Sequence, residues 1–291
     1  MAPLRLIING DDFGRTVEVN EGILRAHEQG VLTSASLMVT GAASARAAAL
    51  ARARPALAVG LHAVIIDGAP ALPSSRLPHL LGGRASLPAD PFVVGLRAFF
   101  SPAVRAELRA ELRAQCERFA ETGLSLAHVD GHYLFHMHPT VFPILVELAE
   151  TFGAAGIRLP REDLRLTLRL DAARPARKAT WRAVYAILCR LGERRLRRST
   201  LVSADRVYGL LMSGRMHEAF VAGLVRAIPA DIRSAEIYTH PCTGPALDPE
   251  GPNPGDLAAL TSATVEMAVR ERGALLTSYP DLRAAKAGGR L

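Results

Sequence analysis

The chain has 291 residues, 49% hydrophobic and 22% charged, with a formal net charge of +7. That balance describes a globular protein with a sizeable core and excludes a disordered or low-complexity chain. No uninterrupted apolar run is long enough to span a bilayer, and Cys116, Cys189 and Cys242 are too few and scattered for a disulfide framework or a zinc knuckle.

LRLIING (4–10) reads as a buried strand running straight into Asp11 and Asp12, without the cleavage site of a signal peptide. VEVNEGILRAHEQG (17–30) reads as a helix stopped by Gly30, SASLMVT (34–40) as a strand, and 42–53 as an alanine-rich helix. A strand over 56–65 precedes a Pro/Gly-rich stretch, DGAPALPSSRLPHLLGGRASLP, that reads as a long loop. A long helix covers about 102–122 and LAHVD (126–130) is the fourth strand; Pro139 suits the first turn of a helix running to about 152. GIRLP (156–160) is a short strand, 174–198 is helical, and a strand lies near 200–207. A helix over 215–228, the strand AEIYTH (235–240), a helix over 255–272 and the strand ALLTSY (274–279) follow.

Strands that are buried rather than alternating, each followed by a helix, imply parallel pairing with helices outside. The expected fold is α/β: an irregular, TIM-like (β/α) barrel in one domain over 1–285, with helical insertions around 90–122 and 165–215. Residues 286–291 read as a disordered tail, and an open doubly wound sheet is the alternative architecture. The cysteine usage suits a reducing cytoplasm.

From Arg174 to Arg198, nine basic residues stand against one acid, Glu193, so the positive excess is one local patch on an otherwise balanced chain. Nucleic-acid binding over the whole surface is not supported.

HVDGHYLFHMHP (128–139) gathers His128, His132, His136 and His138 within eleven positions. His132 and His136 are four apart, but no glutamate follows the first, and Gly131 and Pro139 mark a strand-to-helix loop; a helical metalloprotease motif is excluded. Polar residues recur at strand ends: Asp11 and Asp12 after the first strand, His62 in the third, His132 after the fourth, His240 at the end of AEIYTH. Taken singly, the Asp pair could be a turn and His62 a half-buried core histidine. In a parallel barrel, however, the C-terminal strand ends converge on one face. Two carboxylates and several imidazoles there match a borderline divalent metal site with an open position. His27, His79 and His217 read as surface residues.

INGDDFG (8–14), VGLH (59–62), HVDGHYLFHMHPTVFP (128–143) and YTHP (238–241) resemble the YdjC/ChbG-like carbohydrate deacetylases, and most closely the hopanoid-biosynthesis-associated HpnK branch. The likeness keeps order and spacing from the first strand to the last. It implies an irregular (β/α) barrel that hydrolyses an N-acetyl group from an amino sugar with a divalent metal, Mg or Zn. By position, Asp12, His62 and His132 would hold the ion, Asp11 would be the general base, and His240 the acid that protonates the departing amine. Two positions depart from the pattern: Gly10, where alanine is common, and Tyr133, where many members carry histidine. Asp130 is expected to orient a ligand imidazole or form a turn, His136 to contact substrate or support the loop, and Arg158 to reach a sugar hydroxyl.

The branch resemblance implies an N-acetylglucosamine unit on a hopanoid glycolipid as substrate, with a chito-oligosaccharide as the alternative. In RPARKATWRAVYAILCRLGERRLRRS (174–199), Trp181, Tyr185, Leu188 and Leu191 recur at helical spacing among arginines. This basic helix either packs its apolar side on the barrel, which is the usual case, or lies on an anionic membrane at the inner face of the cytoplasmic bilayer. A homodimer is a further partner. The competing functions are a two-metal hydrolase or isomerase bridged by Asp11 and Asp12, and a non-catalytic sugar-lipid binding module.

Overall fold

The computed structural model describes residues 3–289. Its strands are β1 (Arg5–Phe13), β2 (Ser34–Leu37), β3 (Ala58–Ala63), β4 (His128–Gly131), β5 (Gly156–Ile157), β6 (Arg206–Tyr208), β7 (Ser234–Thr239) and β8 (Leu275–Leu276). Its helices are α1 (Val17–Gln29), α2 (Ser44–Arg52), α3 (Pro78–Leu81), α4 (Pro91–Phe100), α5 (Pro102–Glu121) and α6 (Val141–Thr151). After these come α7 (Leu164–Leu170), α8 (Pro175–Leu196), α9 (Glu218–Ala227), α10 (Pro254–Leu260), α11 (Ala263–Glu271) and α12 (Tyr279–Ala287).

All strand pairs are parallel, in the order β5-β4-β3-β2-β1-β7-β6. β8 lies beside the first two residues of β1, on the edge that β2 takes over from Asn9. The ends of the row approach each other at a lone bridge between Gly156 and Val202, in the stretch leading into β6. The sheet is thus a parallel half-barrel with helices packed on it in one α/β domain, rather than eight regular strands closed by full ladders.

Along β1 the alternation sorts environments. Leu6 and Ile8 join the main core. Ile7, on the opposite side, packs with Ala155, Val202, Tyr279 and Leu282, so α12 plugs the N-terminal end of the sheet's other face. This helix was not anticipated. Ser278 and Asp281 form a capping box and Pro280 follows the cap, so the expected last strand stops at Leu276. Lys286 and Ala287, expected in a tail, complete α12, while Arg290 and Leu291 lie outside the described residues.

Other differences have equally local causes. The helix expected over 255–272 is two, because Ser262 caps α11 anew. The Pro/Gly-rich stretch contains the short α3, ended by Gly82 in the left-handed region (φ 57°). The insertion around 90–122 divides at Ser101–Pro102, where the serine caps α5.

Candidate active site

Between Gly10 and Phe13, three steps of β1 are matched by two steps of β2, from Ala35 to Leu37. This bulge falls on the acidic doublet. In a regular strand, consecutive side chains point to opposite faces; here Asp12 adopts φ 64°, and both Asp11 and Asp12 line one cavity.

Asp12 sits between two imidazoles. Its Oδ1 lies 3.0 Å from His132 Nδ1 and 3.3 Å from His62 Nε2, and its Oδ2 accepts a hydrogen bond from Arg15 at 2.9 Å. Burial alone would raise this carboxyl, but His132 and His62 hold it well below the usual carboxylate range. Asp130 Oδ1 is 2.8 Å from His62 Nδ1, which orients that ring toward Asp12. Burial pulls His62 down, but Asp130 and the contact with Asp12 outweigh it and carry the imidazole up to about 10. After His132 the chain turns through Tyr133 and Leu134, both left-handed (φ 53° and 54°), a strained geometry typical of functional loops.

Asp11 has a different setting. Arg158 donates to both of its oxygens, at 2.7 and 2.8 Å, and Asn9 Nδ2 donates to Oδ1 at 2.7 Å. The same guanidinium lies 2.8 Å from Asp130 and 2.7 Å from Glu236, and stacks 4.4 Å from the Tyr238 ring centroid. Three carboxylates keep Arg158 protonated against complete burial. Ser36 extends the network, accepting from Asn9 and donating to Asp130 at 2.7 Å.

His240 follows β7. Its backbone N–H donates to Asp256, its Nε2 lies 4.0 Å from Asp11 Oδ2, and its Nδ1 has no partner among the described residues.

Asp11, Asp12, His62, His132 and His240, from four strands, therefore line one cavity of about 550 Å³. Asp130, His136 and Arg158 lie buried outside its lining. Arg158 spends its donors on Asp11, Asp130 and Glu236 rather than on an open position where a sugar hydroxyl would sit. His136 points its Nε2 at the Arg158 carbonyl, 3.1 Å away, and burial pulls its imidazole down to about 4. The lining also holds apolar side chains, Leu134, Phe135, Trp181, Val184, Leu188 and Leu211, beside the basic Arg174, Arg177, Lys178 and Arg215. The α8 segment thus contributes directly to the site, while Tyr185, Cys189 and Gly192 pack against the domain.

The donor atoms of Asp12, His62 and His132 lie within 4.8 Å of one another and all three residues are buried. Among the described residues, Asp12 Oδ1 accepts no well-aligned hydrogen bond despite its two close imidazoles, and His132 Nε2 is also unpartnered. An unsatisfied buried polar atom costs about 1–3 kcal/mol, so a carboxylate and two imidazoles aimed at one point fit a shared divalent cation. The set of Asp11, His62 and Asp130 is equally compact, but Arg158 already occupies both carboxylates. A guanidinium there opposes a second cation, which disfavours the two-metal reading.

Ser36, Asn9, Glu236 and Arg15 were not singled out from the sequence. The available signal was polar residues at alternate positions inside otherwise apolar strands, as in IING, SASL and AEIYTH.

The profile of the YdjC-like protein family matches residues 5–271. A carbohydrate deacetylase of Geobacillus stearothermophilus is 32% identical, over 95% of this chain and 97% of that protein. A chitooligosaccharide deacetylase of Serratia marcescens is 31% identical, over 95% and 98%. Among solved structures, an Enterococcus faecalis protein assigned to cellobiose-phosphate cleavage superposes with a TM-score of 0.73 at 23% identity, covering 97% of this chain and 99% of that one; this likeness concerns the fold. With a matching profile spanning the first strand to α11 and relatives aligned along nearly their whole length, the chain belongs to the YdjC-like family.

Proposed function

We propose that this protein hydrolyses the N-acetyl group of an N-acetylglucosamine unit, giving acetate and the free amino sugar. The observation that carries the reading is the meeting of Asp11, Asp12, His62, His132 and His240 on one cavity; the deacetylase names of full-length relatives support it. Asp12, His62 and His132 would hold a divalent metal, and a two-imidazole, one-carboxylate set suits zinc and similar borderline ions better than magnesium. When bound, such an ion supplies Lewis acidity that polarises the acetyl carbonyl.

The chain's own groups supply the proton transfers. Asp11 Oδ2 takes a proton from the attacking water, while Arg158 and Asn9 fix the carboxylate in place. His240 Nε2, on the same side of the cavity as Asp11 Oδ2, gives a proton to the departing nitrogen, without which an amine is a poor leaving group. Asp130 holds the His62 ring and shares Arg158 with Asp11, coupling the ion-holding and proton-moving halves.

As substrate we favour a hopanoid glycolipid over a soluble chito-oligosaccharide. The resemblance to the HpnK branch supports this, as do the apolar side chains of Leu134, Phe135, Trp181, Val184, Leu188 and Leu211 in the cavity lining, which suit an apolar aglycone. The same reading carries a cytoplasmic location at the inner membrane face and an irregular TIM-like barrel, for which the Gly156–Val202 bridge speaks. The test is to incubate purified protein, with and without chelator, with acetylglucosaminyl-hopanoid and with chito-oligosaccharides. Chelator-sensitive acetate release from the glycolipid is expected; release from neither substrate rejects the proposal.

A further inference from the structure

Two helices that border the cavity carry apolar faces that the fold leaves uncovered. Helix α4 has the sequence PFVVGLRAFF; Val94, Gly95 and Ala98 are buried, whereas Phe92 (72% exposed), Val93, Leu96, Phe99 (53%) and Phe100 (72%) project away from the core. Burial on one side accounts for only three of its ten residues. Its sole charge, Arg97, is folded back onto the carbonyls of His79 and Leu80. A helix apolar on both sides in a soluble domain calls for a second apolar neighbour.

Helix α8 offers a matching face. Val184, Ile187 (60% exposed) and Leu191, spaced by three and four residues, form an exposed apolar stripe. Arg190 and Arg194 lie beside it and Arg197 and Arg198 follow the end of the helix; all four are exposed and form no ion pair among the described residues, and the helix's one acid, Glu193, is taken by Arg161. Pro91 at the start of α4 and Trp181 and Val184 of α8 line the same cavity, so both helices border it.

We propose that the α4–α8 face docks on the surface of an anionic lipid bilayer, with the α4 phenylalanines in the acyl boundary and the α8 arginines on the headgroups. Apolar side chains beside unpaired arginines are complementary to an anionic bilayer. They are not complementary to themselves: a second copy seated on this face would bring the same arginines against these. The inference deepens the proposed function by naming the surface from which an amphiphilic substrate enters the cavity, yet its readout needs no turnover.

The full chain is sedimented with phosphatidylglycerol–phosphatidylcholine vesicles and with phosphatidylcholine vesicles alone, at low and high salt. Binding to the anionic vesicles, weakened by salt, is expected. It should fall by about tenfold or more in Arg194→Glu/Arg198→Glu, where two attractive charges become repulsive, and be lost in Phe92→Ser/Phe99→Ser/Phe100→Ser. Both variants should retain turnover of a soluble acetylated amino sugar. Equal binding to both vesicle types, or binding unchanged by the arginine pair, overturns the proposal. So does a dimer dissolved by the phenylalanine substitutions with no vesicle binding, which would assign the face to a second copy. If the phenylalanine variant does not fold, the arginine pair alone decides. Vesicle binding by a protein that deacetylates no sugar would leave this inference standing and reject the activity, so the two failures are distinguishable.

Discussion

Asp11 and Asp12 are adjacent, yet their surroundings differ. Asp12 faces the imidazoles of His62 and His132; Asp11 accepts from Arg158 and Asn9 and stands 4.0 Å from His240 Nε2. Asp11→Asn should therefore cut amine release by roughly 100-fold or more, the usual scale for a lost general base, while calorimetric titration still detects metal binding; unchanged turnover would reject the assignment. Asp130→Asn acts one step away. It keeps an oxygen for His62 but loses the charge that balances Arg158, and should weaken metal affinity by about 10- to 100-fold, with a smaller effect on substrate KM at saturating metal. The convergence of the doublet and the histidines on one cavity was legible in the sequence because all of them stand at the ends of expected parallel strands. The task of Arg158 was not. Its partners Asp11 and Glu236 lie 147 and 78 positions away, and only the fold shows that its reach is spent on carboxylates rather than on a sugar.

The strands carry this difference through their alternation. One side of β1 to β4 and β7 feeds the apolar core, while the other presents Asn9, Asp11, Ser36, His62, His128, Asp130 and Glu236, linked by hydrogen bonds and ion pairs. Sequence patterning identified these strands from their apolar content and missed the polar alternation, because small residues such as Gly60 and Ala35 blur it. Gly60 is small for a reason: a Cβ there would lie 2.4 Å from the His128 ring and 2.6 Å from its carbonyl oxygen. Gly60→Ala should destabilise by about 1–3 kcal/mol, as overpacking does, visible as a lowered Tm. The end of β6 offers a pH-dependent counterpart. Glu162 accepts from the backbone N–H groups of Gly209 and Leu211 and from Thr167, and burial raises its carboxyl to about 7. Because the folded chain binds this proton more tightly than the unfolded one, its contribution is full below the ordinary value of 4.5 and fades as pH rises through 7. Wild-type Tm should fall between pH 5 and 8 by a component that Glu162→Gln lacks; parallel Tm profiles would reject this. Helix α4 falls within the helical insertion expected around 90–122, whereas α12 escaped the sequence reading because the apolar run before it resembles a strand until its capping box is considered.

Across the whole molecule, charge is separated to an unusual degree. The outside carries the basic α8 segment, while the inside gathers Asp11, Asp130 and Glu236 around Arg158, with Asp12 beside them on the half-buried Arg15. Four buried carboxylates against two arginines leave a deficit of positive charge, which protons or a cation must supply. His62 reports the proton route: raised from 6.5 to about 10, it stabilises the metal-free fold fully below about 6.5, and that contribution fades as pH rises through 10. A divalent ion held by Asp12, His62 and His132 must displace the imidazole protons, so binding competes with acid. Adding Zn²⁺ should accordingly raise Tm, and by more at pH 8 than at pH 6. At a free concentration a hundred times Kd the gain approaches about 2.7 kcal/mol, or several degrees for a domain of this size. Chelator should reverse the shift, and Asp12→Asn should remove it while leaving the Glu162 component of the pH profile intact. A Tm indifferent to Zn²⁺ and to chelator at both pH values would mean that protons alone neutralise the buried acids, and that this cluster is a structural network with no ion to hold.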